Sequence, residues 1–160
     1  MCSNLELQKA RREIKAILVE KALSRQDISY SVLAKKITSC TLEHDSQELH
    51  ALLGEISEQE SNNNRGMLSV LVVRKDNGYP GKGFFTCAQS LEYKIDPPKQ
   101  ARYAPPVLEQ RHKDFCENMK KTISNYYSDP NLKARILKEI KNHNGNIRLA
   151  IDVLEEAGVL

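Results

Sequence analysis

Between Arg65 and Leu91 the chain changes character. Leu68, Val70, Leu71, Val72 and Val73 make a short, mostly β-branched apolar run, followed by Asp76-Asn77-Gly78 and Tyr79-Pro80-Gly81. A run of this length bounded by turn residues predicts a buried strand, and the Gly and Pro clusters predict tight turns with positive φ. Phe84, Phe85, Ala88 and Leu91 then fall at helical spacing, which predicts a short helix anchored on the core. Every other extended apolar pattern has helical period. The expected fold class is therefore mainly α, organised around one strand and one turn-rich loop.

Ahead of that stretch, Ser3-Asn4-Leu5-Glu6 has the spacing of a capping box, and Leu7, Ala10, Ile14, Ile17 and Leu18 share one helix face. Lys9, Arg11, Arg12, Lys15 and Lys21 are expected on the opposite, solvated face. Asp27-Ile28-Ser29-Tyr30 reads as a short strand, with Ser31 capping a second helix that uses Val32, Leu33, Ala34 and Ile37. Asp45, with Glu48 three residues on, is expected to cap a third helix whose stripe is Leu49, Leu52, Leu53 and Ile56. Gly54 inside that helix costs about 1 kcal/mol against Ala and marks a close approach.

Beyond Leu91, Pro97-Pro98 and Pro105-Pro106 bracket a segment of little periodicity, expected to be an extended linker. A helix from Val107 to Tyr127 is predicted to bury Leu108, Phe115, Met119, Ile123 and Tyr126. Asp129-Pro130 is a cap followed by proline at the first helical position. It opens a helix with Leu132, Ile136, Leu137 and Ile140, and a last helix carries Ile147, Ala150, Ile151 and Leu154. The expected division is a domain over 1–95, a Pro-rich linker over 96–106 and a helical extension over 107–160.

The order strand, second helix, third helix, strand and Gly-rich loop resembles the winged-helix domain of the alkylguanine-DNA alkyltransferases and their catalytically inactive alkyltransferase-like relatives. Tyr30-Ser31-Val32-Leu33-Ala34 is similar to that family's Tyr-Gly-x-Leu-Ala segment, and Leu52-Leu53-Gly54-Glu55-Ile56 sits where its third helix lies. The same region, with Arg65-Gly66-Met67-Leu68-Ser69 and Pro80-Gly81-Lys82-Gly83-Phe84-Phe85, also resembles a small bacterial winged-helix-like module of nuclease and mobile-element settings. The resemblance covers residues 26 to 92. It implies a winged-helix-like core of three helices, short strand and wing, with a helical C-terminal extension. The family's nucleophilic Cys, in a Pro-Cys-His-Arg motif, is replaced here by Met67-Leu68-Ser69-Val70, so alkyl transfer is excluded.

Charge divides the remaining functions. Thr41 to Glu60 holds six acids and no Lys or Arg, so phosphate would be repelled there. The expected nucleic-acid contacts, to DNA above all, are therefore Arg65, Arg74, Lys75 and Lys82 of the wing region, Tyr30, and Arg11 and Lys15 of the first helix. The alternative is a protein-interaction adaptor, or a self-associating homo-oligomer, using Glu48, Glu55 and Glu58 and the C-terminal helical hairpin. That hairpin loosely resembles ubiquitin-associated-type bundles.

No catalytic constellation emerges, and the chain is read as non-enzymatic, without cofactor or metal. Cys40, His44 and His50 lack the paired spacing of a zinc site, and His112 and His143 lack a catalytic partner. Cys87 and Cys116 are expected to be small buried hydrophobes. Tyr79-Pro80-Gly81-Lys82-Gly83 lacks the ending of a phosphate loop. Cys2, Cys40, Cys87 and Cys116 are far apart without CxxC pairing, which suits a reducing cytosol. The charged opening Met1-Cys2-Ser3-Asn4 is not that of a signal peptide. No apolar run approaches the length of a membrane span, so the expected location is cytoplasmic.

Overall fold

The computed structural model describes residues 2–95 and 105–160. Its elements run α1 (Asn4–Ser24), β1 (Ile28–Ser29), α2 (Tyr30–Lys36), α3 (Gln47–Asn62), a 3-10 turn (Leu68–Leu71) and β2 (Val72–Val73). They continue with α4 (Lys82–Ser90), α5 (Pro105–Tyr127), α6 (Pro130–Asn142) and α7 (Ile147–Glu156). The fold is mainly α. The two short strands pair in parallel, Ile28 with Val72 and Ser29 with Val73.

Local chemistry places most helix starts. Ser3 Oγ accepts from the Glu6 backbone N–H at 3.2 Å, as the capping box predicts. Asp129 accepts from the backbone of Asn131 and Leu132, with Pro130 at the first helical position. Two caps shift by one or two residues. Ser29 rather than Ser31 caps α2, accepting from Val32, and Ser46 rather than Asp45 caps α3, accepting from Leu49. In both cases the serine that wins stands three residues before the free backbone donor, where a short hydroxyl reaches it.

α1 is the central helix. Ala10, Ile14, Ala16, Leu18, Val19 and Ala22 are all buried, because α3, α5, α7 and the 3-10 turn each pack on it. A single apolar stripe with a solvated back, as the sequence predicts, is too narrow for a helix with neighbours on several sides. From α3, Leu49, Leu52, Leu53 and Ile56 enter this core, as expected, and Phe84, Phe85 and Ala88 enter from α4. Burying each large side chain contributes roughly 1.5–3 kcal/mol.

The predicted strand over Leu68–Val73 is realised only at its end. Leu68–Leu71 turn as a 3-10 helix, and β structure is confined to Val72 and Val73. A strand extends only where a partner offers backbone groups, and β1 supplies just Ile28 and Ser29. The Ser69 N–H instead donates to Ser57 Oγ at 3.2 Å, and the Val70 N–H to the Met67 carbonyl at 3.0 Å.

Of the predicted linker, Pro97 and Pro98 lie outside the described residues, and Pro105 and Pro106 belong to α5. Proline is tolerated in a first helical turn, where its missing N–H would have no partner. α5 buries Cys116, Met119, Ile123 and Tyr127; of the expected stripe only Met119 and Ile123 are enclosed, while Leu108, Phe115 and Tyr126 are half-buried. Ile136, Ile151 and Leu154 join the same hydrophobic cluster as α1 and α3. The segment after Pro105 thus shares one core with the N-terminal helices. No described helix is long and apolar enough to cross a membrane.

Candidate functional site

The sequence-expected phosphate contacts separate into two groups. Lys15 is fully buried, with Nζ 3.2 Å from Glu60 Oε1 and 2.6 Å from Glu155 Oε1. The ammonium meets both as ion pairs, off the line of a directed hydrogen bond. Arg65 is buried too, its Nε donating to Glu60 Oε2 at 2.6 Å and one terminal nitrogen to Glu60 Oε1 at 3.3 Å. The Tyr127 hydroxyl donates to the same carboxylate at 3.1 Å.

Burial alone would pull the Arg65 guanidinium down, but the Glu60 carboxylate outweighs it and holds the pKa above the ordinary value. Burial, and then the Glu60 charge, push the Tyr127 phenol well above its usual range. Arg11 donates to Gln59 at 3.2 Å and lies 3.9 Å from Glu155. This buried knot ties α1, α3, α5 and α7 together. It is a structural centre, and Lys15 and Arg65 offer no cation to a ligand. The breadth of the apolar arc around Lys15, with Ile14, Ala16, Leu18 and Val19 beside it, is the sequence signal that α1 is enclosed.

Arg74, Lys75 and Lys82 are exposed around the loop that follows β2. The Arg74 N–H donates to the Tyr79 carbonyl, and the Gly78 N–H to the Arg74 carbonyl, each at 2.9 Å. Gly78, at φ 73°, supplies the left-handed backbone that this turn requires. Tyr30 fixes the far end of the loop, its hydroxyl accepting from the Gly81 N–H at 3.0 Å. Arg74 pairs with Asp76. Lys75 and Lys82 have no ion-pair partner among the described residues.

The expected protein-facing acids are all accessible. Glu48, Glu55 and Glu58 are exposed on α3 and unpaired among the described residues. Glu48 and Glu55 form one wall of an open groove of about 680 Å³ whose other wall is α1, carrying Arg11 and Arg12. Leu7 on the α1 side and Ala51 and Leu52 on the α3 side also line it.

The cysteines depart from the sequence reading. Cys2 and Cys40 are joined by a disulfide, 38 residues apart in sequence. Sequence distance hides the pairing, since the start of α1 returns to the loop after α2. Glu6 stands beside the two sulfurs, but a disulfide leaves neither sulfur as a thiolate ligand. Burial pushes the Cys116 thiol up to about 12, and burial and then Glu58 raise Cys87. Cys87, half-buried rather than enclosed, shares a crevice of only about 40 Å³ with Tyr30, His50 and Ser69. That volume suits a water molecule and no substrate. A thiol held protonated in such a space is a poor nucleophile.

No family model matches the chain, and neither a curated protein nor a solved structure matches it.

Proposed function

We propose that the chain is a non-enzymatic protein-docking module that presents the acidic face of α3. The carrying observation is the fate of its charges. Lys15 and Arg65 are engaged inside on Glu60, whereas Glu48 and Glu55 stand exposed, and unpaired among the described residues, on a groove that Leu7, Ala51 and Leu52 also line, with Glu58 exposed further along α3. Charges arranged in this way favour selection and orientation of a partner over phosphate contact. A photo-crosslinking amino acid at exposed Ala51 tests the reading. The expected result is a crosslinked protein that disappears with Glu55→Lys while the fold, followed by circular dichroism, is unchanged. A crosslink indifferent to Glu55→Lys refutes it.

One observation favours nucleic acid as a second reading: Lys75 and Lys82 are exposed near the Arg74–Tyr79 turn and have no ion-pair partner among the described residues. The order β1, α2, α3, β2 and that turn supports a winged-helix-like arrangement, with the turn as wing. Neutralising either lysine would weaken binding by this route and lower its salt slope by about one unit. Titration with duplex and single-stranded oligonucleotides at two salt concentrations separates the readings. Glu55→Lys should leave oligonucleotide binding unchanged or strengthen it.

A further inference from the structure

We infer that the occupant of the α1–α3 groove is a second copy of this chain, related by a twofold axis. The inference rests on the reading of the α3 face as a docking surface and names what docks there.

The groove is self-complementary. Its α1 wall is cationic, its α3 wall anionic, and no ion pair joins the two within one chain among the described residues. Under a twofold, residue i of one copy meets residue j of the other while j meets i. An α1 wall is thereby set against an α3 wall twice in one closed interface. Arg11 is already held by Gln59, which leaves Arg12, exposed, within electrostatic reach of Asp152 on α7 but with no direct ion pair among the described residues, as the cation available to Glu48 and Glu55 of the second copy.

The apolar component points the same way. Leu5, on the first turn of α1 beside the groove residues Asn4 and Leu7, is 61% exposed, the most exposed of the large hydrophobic side chains described. A solvated leucine beside a groove partly lined by Leu7, Ala51 and Leu52 gains its burial when two copies exchange these side chains. A nucleic-acid partner would leave both Leu5 and the carboxylate wall unsatisfied. A purely cationic peptide would leave Arg12 opposed.

Sedimentation of the full chain with a charge swap decides the matter. Wild type is expected to show a concentration-dependent species of twice the 18.2 kDa chain mass, weakened by salt. Glu55→Arg alone and Arg12→Glu alone should each weaken association about tenfold or more, since each sets like charges opposite one another twice. An equimolar mixture of the two variants should restore it, because both contacts of the mixed dimer are again between opposite charges. Leu5→Ser should weaken dimerisation with the monomer fold unchanged by circular dichroism.

A wild type that remains monomeric throughout, or a mixture no better than either variant alone, overturns the inference. The crosslinker at Ala51 separates that failure from failure of the docking reading. A Glu55-dependent adduct of some other mass with a monomeric chain leaves docking standing and removes self-pairing. The absence of any Glu55-dependent adduct removes both.

Discussion

Lys15 Nζ lies 3.2 Å from Glu60 Oε1, and both side chains are closed to solvent. Glu60 also receives Arg65 and the Tyr127 hydroxyl, so one carboxylate balances two cations and satisfies a phenol. Lys15 has a second anion in Glu155, 2.6 Å away. Glu60 is therefore the hub on which α1, α3 and α5 converge.

Removing that hub should be severe. Glu60→Ala leaves two buried cations undercompensated and is expected to cost about 3–5 kcal/mol in urea denaturation. Lys15→Met should cost less, because Glu60 retains Arg65 and Tyr127 and the new side chain fills the space. Equal losses from the two variants would show that the ammonium, not the carboxylate, organises the knot.

Glu13 supplies a stability term that acid removes. Its carboxylate accepts from the backbone N–H groups of Thr38 and Ser39, each at 3.2 Å, and from the Thr38 hydroxyl, with Arg148 3.9 Å away. Burial raises its pKa, but these hydrogen bonds outweigh burial and leave it below the ordinary value. A carboxyl lowered on folding stabilises above its unfolded pKa, and that contribution fades as pH falls through the folded value. Glu13→Gln is expected to be about 1.5–3 kcal/mol less stable than wild type at neutral pH. Thermal melts should show the gap narrowing below about pH 4.3. A constant gap throughout would dissociate Glu13 from the acid response.

Reduction of Cys2–Cys40 should destabilise the fold. The bridge closes a loop across the start of α1 and the segment after α2, and restricting the unfolded chain in this way is worth about 2–4 kcal/mol. Denatured, unreduced protein should titrate with two free thiols, from Cys87 and Cys116. Reductant should lower the stability of wild type and leave that of Cys2→Ser unchanged. Four reactive thiols before reduction would exclude the bridge.

Gly66 is expected to resist substitution more than Gly78. Both have positive φ, but a Cβ on Gly66 would meet Ile123 Cγ1 at 3.1 Å and Met119 Sδ at 3.3 Å, whereas one on Gly78 meets nothing within 4 Å. Gly78→Ala incurs the backbone strain alone, about 1 kcal/mol, and Gly66→Ala adds displacement of α5. Comparable losses in chemical denaturation would mean that α5 yields freely.

The sequence determined the parts of this protein that are governed by neighbours along the chain. Ser3 and Asp129 cap their helices, Pro130 begins one, and the Gly78 turn closes, because each depends on atoms only a few residues away. The α3 stripe and the exposure of Glu48, Glu55 and Glu58 were likewise legible from helical period. Tertiary structure decided the rest. Lys15 belongs to a solvated face only if nothing packs there, and the helix that covers it, α7, lies more than a hundred residues later. Leu68–Leu71 has strand composition yet turns, since hydrogen-bonding partners for an extended strand end with Ile28 and Ser29. Cys2 and Cys40 carry no spacing signal, and only the return of the chain to the start of α1 joins them. Propensity acts over a helical turn, whereas a buried charge or a bridge is settled by whichever distant segment fills the space beside it.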